Sequence, residues 1–173
     1  MLLFLGCIHT APLPVVEGKA RVEHVYREFA DPVEGGWCSY DAESLFFGQT
    51  PLWWEEPPDA PNGCRPSGEV SRLVDIYGQN GPYLSVVLRE WGCCPEQKRV
   101  QCVTYQVQTG QPVDITAYDE KHAQKRQIKA QKEWERRGAP QGYTLQPESF
   151  LIDGSHVIFC AISGEDLILL PVP

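Results

Sequence analysis

An α+β fold, with a mainly antiparallel sheet and one substantial surface helix, is what the sequence predicts. Three observations carry this. Residues 83–91 (YLSVVLREW) and 100–107 (VQCVTYQV) are runs rich in β-branched and aromatic residues, separated by GCCPEQKR in the pattern of a hairpin. Residues 150–160 (FLIDGSHVIFC) are two apolar runs joined by Asp-Gly, a strong short-hairpin signal. Between these pairs a charged stretch, 114–137, begins with capping residues and is followed by Gly138, which marks a helix.

In chain order, residues 20–29 (ARVEHVYREF) mix apolar and charged positions over a β-rich set and read as a first strand, broken by Gly35-Gly36. The segment 37–66 holds Trp37, Trp53, Trp54, Cys38 and Cys64, with prolines at 51, 57, 58, 61 and 66. Proline fixes φ and removes a backbone donor, so this density predicts a large irregular N-terminal region stapled by cysteines. Residues 70–77 (VSRLVDIY) fit a strand or a short helix, and GQNGP at 78–82 is a turn. After the 83–107 hairpin, TGQP at 109–112 turns the chain into the helix, with Asp114 or Thr116 as its cap. That helix is acidic at its start (Asp119, Glu120) and basic thereafter, which suits the helix dipole. Its apolar residues, Tyr118, Ala123, Ile128 and Trp134, make a narrow stripe, so it is expected on a surface. DLILLPVP closes the chain as a last strand, and there is no internal repeat.

The 173 residues amount to one domain's worth of chain, and 42% hydrophobic residues are enough for a packed core. No apolar run approaches the length that crosses a bilayer, and 15 basic against 23 acidic residues, net −8, oppose binding to nucleic acid. The helix segment 117–137 carries 7 basic and 4 acidic residues. The remainder has 8 basic and 19 acidic, −11, an acidic body that would steer a cationic partner. The basic helix itself is read either as a solvated face or as a surface for an anionic membrane or polymer.

Met1 to Cys7, MLLFLGC, is a short apolar run closing on Gly-Cys, followed by IHTAPLPVVEG. This looks like the end of a bacterial lipoprotein signal, with residues 1–6 as a truncated signal segment, Met1 lying inside a longer one, and Cys7 as the lipidated residue. Acyl chains on Cys7 would anchor without spanning, and residues 7–18, with Pro12 and Pro14, would form the tether. The alternative is a buried N-terminal strand with a free cysteine. Setting Cys7 aside leaves six cysteines, Cys38, Cys64, Cys93, Cys94, Cys102 and Cys160, an even set suited to disulfides in an oxidising envelope. Adjacent Cys93 and Cys94 would strain a mutual bridge, and one of them is a candidate to close the hairpin onto Cys102. The spacing lacks the CxxC or Cys/His clustering of a zinc site, so no metal and no cofactor are implied.

Candidate chemistry is sparse. His156 and Cys160 would share one face of a strand, yet about 13 Å apart, which is out of reach for a nucleophile pair. Asp153, Ser155 and His156 crowd one turn, and no GxSxG elbow exists. Glu55-Glu56 and Glu165-Asp166 are adjacent carboxylates whose side chains diverge, and they read as solvated loops. No catalytic residue is assigned. PLWWEEPP is the candidate binding segment, because Trp53 and Trp54 offer flat apolar faces that stack on sugars or anchor protein partners. The competing reading makes at least one of them a core plug.

Taken together, PYLSVVLREW, TYQVQTGQPVDITAY, YTLQPESFLIDGSHVIF and ILLPVP resemble, in order and spacing over residues 83–172, the extracytoplasmic domain of RsiV-type anti-sigma factors, found also beside some polysaccharide deacetylase domains. The resemblance implies an α+β envelope domain that binds a partner, lysozyme in the anti-sigma case, rather than an enzyme. Where many members carry a Gly-Gly-Ala-His-type turn, this chain has WGCCPEQ, and no binding residue carries over.

The expectation is a single α+β domain over 19–173 with a disulfide-stapled irregular N-terminal region. The chain is expected in the cell envelope, lipid-anchored to a bacterial membrane and facing outside the cytoplasm. It would bind a cationic protein such as lysozyme, or a cell-wall glycan. The rival expectations are a structural or accessory envelope lipoprotein with no soluble ligand, and a cell-wall hydrolase using the carboxylates.

Overall fold

The computed structural model describes residues 18–30, 37–54, 69–91 and 98–172. Cys7, Cys64, Cys93, Cys94 and Glu55-Glu56 lie outside the described residues, as does the side chain of Cys38. The elements are β1 (Ala20–Ala30), β2 (Trp37–Phe47), β3 (Thr50–Trp53), β4 (Glu69–Asn80), β5 (Tyr83–Trp91), β6 (Arg99–Gln106), β7 (Gln111–Val113), α1 (Ile115–Tyr118), α2 (Ala123–Arg136), β8 (Thr144–Asp153), β9 (His156–Ser163) and β10 (Asp166–Val172).

Seven strands form the larger sheet in the order β1-β2-β4-β5-β6-β7, with β3 also paired to β2. Among the described residues only β2 and β4 run parallel, over Ser39↔Glu69 to Ala42↔Arg72. The smaller sheet is β10-β9-β8, antiparallel throughout. Its hairpins turn on glycines held at positive φ, Gly154 (57°) after Asp153 and Gly164 (59°) before Glu165, where a side chain would be strained.

Strand alternation sorts the apolar residues into layers. Leu84, Val86 and Leu88 of β5 join Leu45, Phe47, Leu52 and Tyr105 on one face of the larger sheet. β3 crosses that face as far as the turn after β6, where a Cβ on Gly110 would meet Thr50 and Pro51 at 3.2 and 3.3 Å. On the opposite face Val87, Val100 and Cys102 pack against Leu151, Ile158 and Cys160 of the smaller sheet. The outer face of the smaller sheet, with Phe150, Phe159 and Leu170, is covered by Ile115, Ala130 and Trp134 of the helices. Roughly 1.5–3 kcal/mol attends full burial of each large side chain of this kind.

The α+β architecture, the 83–107 and 150–160 hairpins, the first and last strands and one substantial helix stand as expected. Two local readings change, and of the two readings offered for 70–77 the strand is the one found. Within 37–66, residues 37–53 are not irregular: β2 and β3 form a hairpin, because ESLFF supplies an apolar run before the Gly48-Gln49 turn, and the prolines crowd further along. Residues 69–80 are strand. The helix is two helices: Asp114 caps α1 by accepting from Ala117 N–H at 2.7 Å, and the chain leaves helical geometry at Asp119 (φ −142°, ψ 67°). The Asp119 carboxylate then takes His122 and Arg126, each at 3.0 Å, and so joins the break to the first turn of α2.

Candidate functional site

The two candidate indoles have different surroundings, and the cause lies in β2. One edge of β2 serves two strands in succession, β4 through Ala42 and β3 from Leu45 onward. β4 must therefore leave β2 after Arg72. The backbone donor freed at Val74 is taken by Glu43, whose Oε2 accepts from Val74 N–H at 2.6 Å. Trp53, paired to Leu45, packs against the core while the Arg72 guanidinium lies 5.3 Å from its ring centre, a cation–π distance. Arg72 in turn bonds Glu90 at 3.1 Å. Trp54, the next residue, is 54% exposed. Trp53 is thus partly buried against the core, whereas Trp54 is exposed.

A second cluster ties the ends of the β5–β6 connection to the smaller sheet. Glu165, in the β9–β10 turn, accepts from Trp91 Nε1 at 3.0 Å and from Lys98 Nζ at 3.2 Å. Arg89 reaches the Glu165 carbonyl at 3.2 Å and Asp75 at 3.3 Å. The Trp91 hydrogen bond and the Lys98 ammonium hold the Glu165 carboxyl below the ordinary glutamate value. Glu165 is exposed in its turn, as the sequence suggests, and the hairpin also brings it to partners more than sixty positions away in the chain.

A groove follows β6. One end, about 360 Å³, is lined by Cys102, Val103, Thr104, Pro112, Val113, Asp114, Glu148 and Ser149. The adjoining stretch, about 340 Å³, is lined by Val100, Gln101, Gln146 and Ile162 with Cys102, Val103 and Ser149 again. Its far wall is β8 where pairing to β9 is interrupted between Gln146 and Phe150, a bulge tied to α2 by Gln127 Nε2 donating to the Pro147 carbonyl at 3.0 Å.

Other predicted residues take structural places. Cys102 pairs with Cys160 across the two sheets, Cα–Cα 6.6 Å, rather than with Cys93 or Cys94. Both cysteines are at most 4% exposed, because each sits in the layer between the sheets. Asp153, Ser155 and His156 are exposed around one turn. On α2, Glu133 binds Arg136 at 2.7 Å and Arg137 at 2.8 Å, and these bonds push its carboxyl down to about 2. Among the described residues no three His, Cys, Asp or Glu side chains gather to hold a metal, and no helix is long and apolar enough to cross a membrane. Arg72, Glu43, the Glu165 cluster and the groove have no local signature in the sequence. Each arises from pairings between distant strands.

No family model and no curated protein matches the chain. Among solved structures it is similar to a DUF3298 family protein from Pseudomonas aeruginosa PAO1, at 13% identity, 94% of this chain, 91% of that one and a TM-score of 0.56. It is also similar to a DUF3298 family member from Bacteroides fragilis NCTC 9343, at 8% identity, with 91% and 90% coverage and a TM-score of 0.54. At these identities the likeness is one of fold.

Proposed function

We propose that this protein is a cell-envelope binding protein, held to a bacterial membrane by lipid on Cys7, that recognises a cationic protein such as lysozyme, or a cell-wall component, without turning it over. The observation that supports recognition is the division of labour between the indoles. Trp53 packs, partly buried, against the core beside Arg72, and Trp54 next to it presents a half-exposed face. An indole next to a seated neighbour is a good anchor, since it buries a large apolar area at small rotamer cost. The net charge of −8 favours a cationic partner and speeds its encounter. The resemblance of residues 83–172 to the anti-sigma domain supports the same partner class.

The test measures binding of the purified protein to lysozyme and to cell-wall glycan fragments, for wild type, Trp54→Ala and Trp53→Ala. Trp54→Ala is expected to weaken binding about tenfold with an unchanged melting temperature. Trp53→Ala is expected to lower the melting temperature. No binding to either probe rejects this reading in favour of a structural role, and unchanged affinity in Trp54→Ala removes that indole as the anchor.

A further inference from the structure

We propose that the groove along β6 docks an extended basic segment of a partner protein, which joins the larger sheet as an added strand beside Val100 and Cys102. This surface is distinct from the one around Trp54 and stands without it.

The direction of the β6 backbone groups carries the inference. In an antiparallel ladder, successive residues send their N–H and C=O groups to opposite neighbours. The Gln106 carbonyl accepts from Gly110 N–H at 2.9 Å, on the β7 side, while Val107 N–H donates to the Pro82 carbonyl at 2.8 Å, on the β5 side. The β5–β6 register runs unbroken from Arg99 to Gln106. Even-numbered residues of β6 therefore point away from β5. β7 covers only Thr104 to Gln106. The N–H and C=O groups of Val100 and Cys102 thus face the groove, and among the described residues nothing bonds to them.

These groups belong to residues only 5% and 4% exposed. Backbone polar groups so placed are nearly always paired in folded proteins, and a strand laid alongside supplies partners at about 4.8 Å spacing. From Val100 to Cys102 the bare edge is about 7 Å long, enough to pair two to three residues of extended chain before β7 takes over at Thr104. The bulge of β8 keeps a wall opposite, so a visiting strand would be held on both sides. The charge of the occupant follows from the lining. Asp114 and Glu148 are carboxylates, Gln101, Gln146 and Ser149 are polar, and among the described residues no Lys, Arg or His lines either stretch.

The experiment uses the full chain with a short capped peptide alternating valine and threonine between terminal lysines, its glutamate-ended counterpart, and a copy N-methylated at alternate amides. Fluorescence anisotropy gives affinity, and amide hydrogen exchange gives location. The lysine peptide is expected to bind and to slow exchange at Val100 and Cys102, and Trp54→Ala should bind it as wild type does. Glu148→Lys, an exposed change on the groove wall, should weaken binding about threefold or more. The glutamate-ended and N-methylated peptides should lose most of it. Failure of the lysine peptide to bind, equal binding of the N-methylated copy, or protection mapping elsewhere overturns the proposal. So does protection of the same amides that grows with protein concentration alone, which would put a second copy of this chain in the groove.

Discussion

Ser85 and Thr104 face each other across β5 and β6 with their hydroxyl oxygens 2.7 Å apart, and both bond onward to one edge of β8. Thr104 gives its proton to the Phe150 carbonyl at 2.7 Å, so the proton between the two hydroxyls comes from Ser85. Ser85 accepts from Ile152 N–H at 2.9 Å. The result is a closed relay from a β8 donor to a β8 acceptor through two side chains of the larger sheet. It satisfies the edge that the smaller sheet would otherwise bury unpaired. Both residues are at most 1% exposed, so water cannot substitute.

Thr104→Val, which keeps shape and removes the hydroxyl, is expected to cost about 1–3 kcal/mol in chemical denaturation, because it orphans the Phe150 carbonyl and leaves the Ser85 proton without an acceptor. Ser85→Ala should cost a similar amount. The double variant should cost clearly less than the sum of the two. Additive losses would show that the relay does not act as a unit.

The same transverse row includes Gly78, paired with Ser85 as Ser85 is with Thr104. A Cβ there would lie 2.4 Å from the Ile152 carbonyl oxygen, a backbone atom that cannot swing aside. Gly78→Ala should therefore destabilise by about 1–3 kcal/mol, although alanine ordinarily suits a strand no worse than glycine. Differential scanning calorimetry checks this, and an unchanged melting temperature would mean that β8 slides on the larger sheet at little cost.

What was legible in the sequence was local. Asp153-Gly154, the Asp114 cap and the apolar runs of β5, β6, β9 and β10 each carry their signal within a few residues, and each element stands where that signal put it. β2 was hidden because tryptophans, cysteines and downstream prolines dominate its neighbourhood, although LFF-Gly-Gln was the hairpin cue. The helix break at Asp119 was hidden because Asp is also a normal first-turn residue. The Cys102–Cys160 pairing, the Trp53–Arg72 stack and the Gly78–Ser85–Thr104 row join strands far apart in sequence, and residue spacing holds no information on which face meets which. The candidate site was thus half readable: Trp53 and Trp54 stood out as residues, but their different burial follows from β4 leaving β2 at Arg72.

The Cys102–Cys160 bridge closes a loop of 58 residues and joins the two sheets. On the loop-entropy account its removal costs about 4 kcal/mol. Cys102→Ala with Cys160→Ala should lower stability by that order in urea unfolding. In wild type, alkylation of this pair should require both reductant and unfolding, since the layer around it is closed to solvent. Peptide mapping without reduction should recover the two cysteines linked, and recovery of Cys102 linked to Cys93 or Cys94 would contradict the arrangement of the sheets.

Acid should weaken the protein through two exposed carboxylates. Hydrogen bonds from Arg136 and Arg137 put Glu133 at about 2 against an ordinary value of 4.5, and Trp91 with Lys98 lowers Glu165. A carboxyl lowered in the folded state adds stability that is complete above its unfolded value and is lost as pH falls through its folded value. For Glu133 that window runs from 4.5 down to about 2. Carboxyl carbon shifts followed by NMR should therefore titrate near the lower end for Glu133. The Trp91 indole proton should report Glu165 titrating below an ordinary glutamate, and Glu165→Gln should abolish that inflection. Glu133→Gln should flatten the acid side of the melting-temperature profile without changing its slope above neutrality. A midpoint at the ordinary value for either residue would mean that its partners do not hold it in solution, and the two ends of the β5–β6 connection would then be free of the smaller sheet in the case of Glu165.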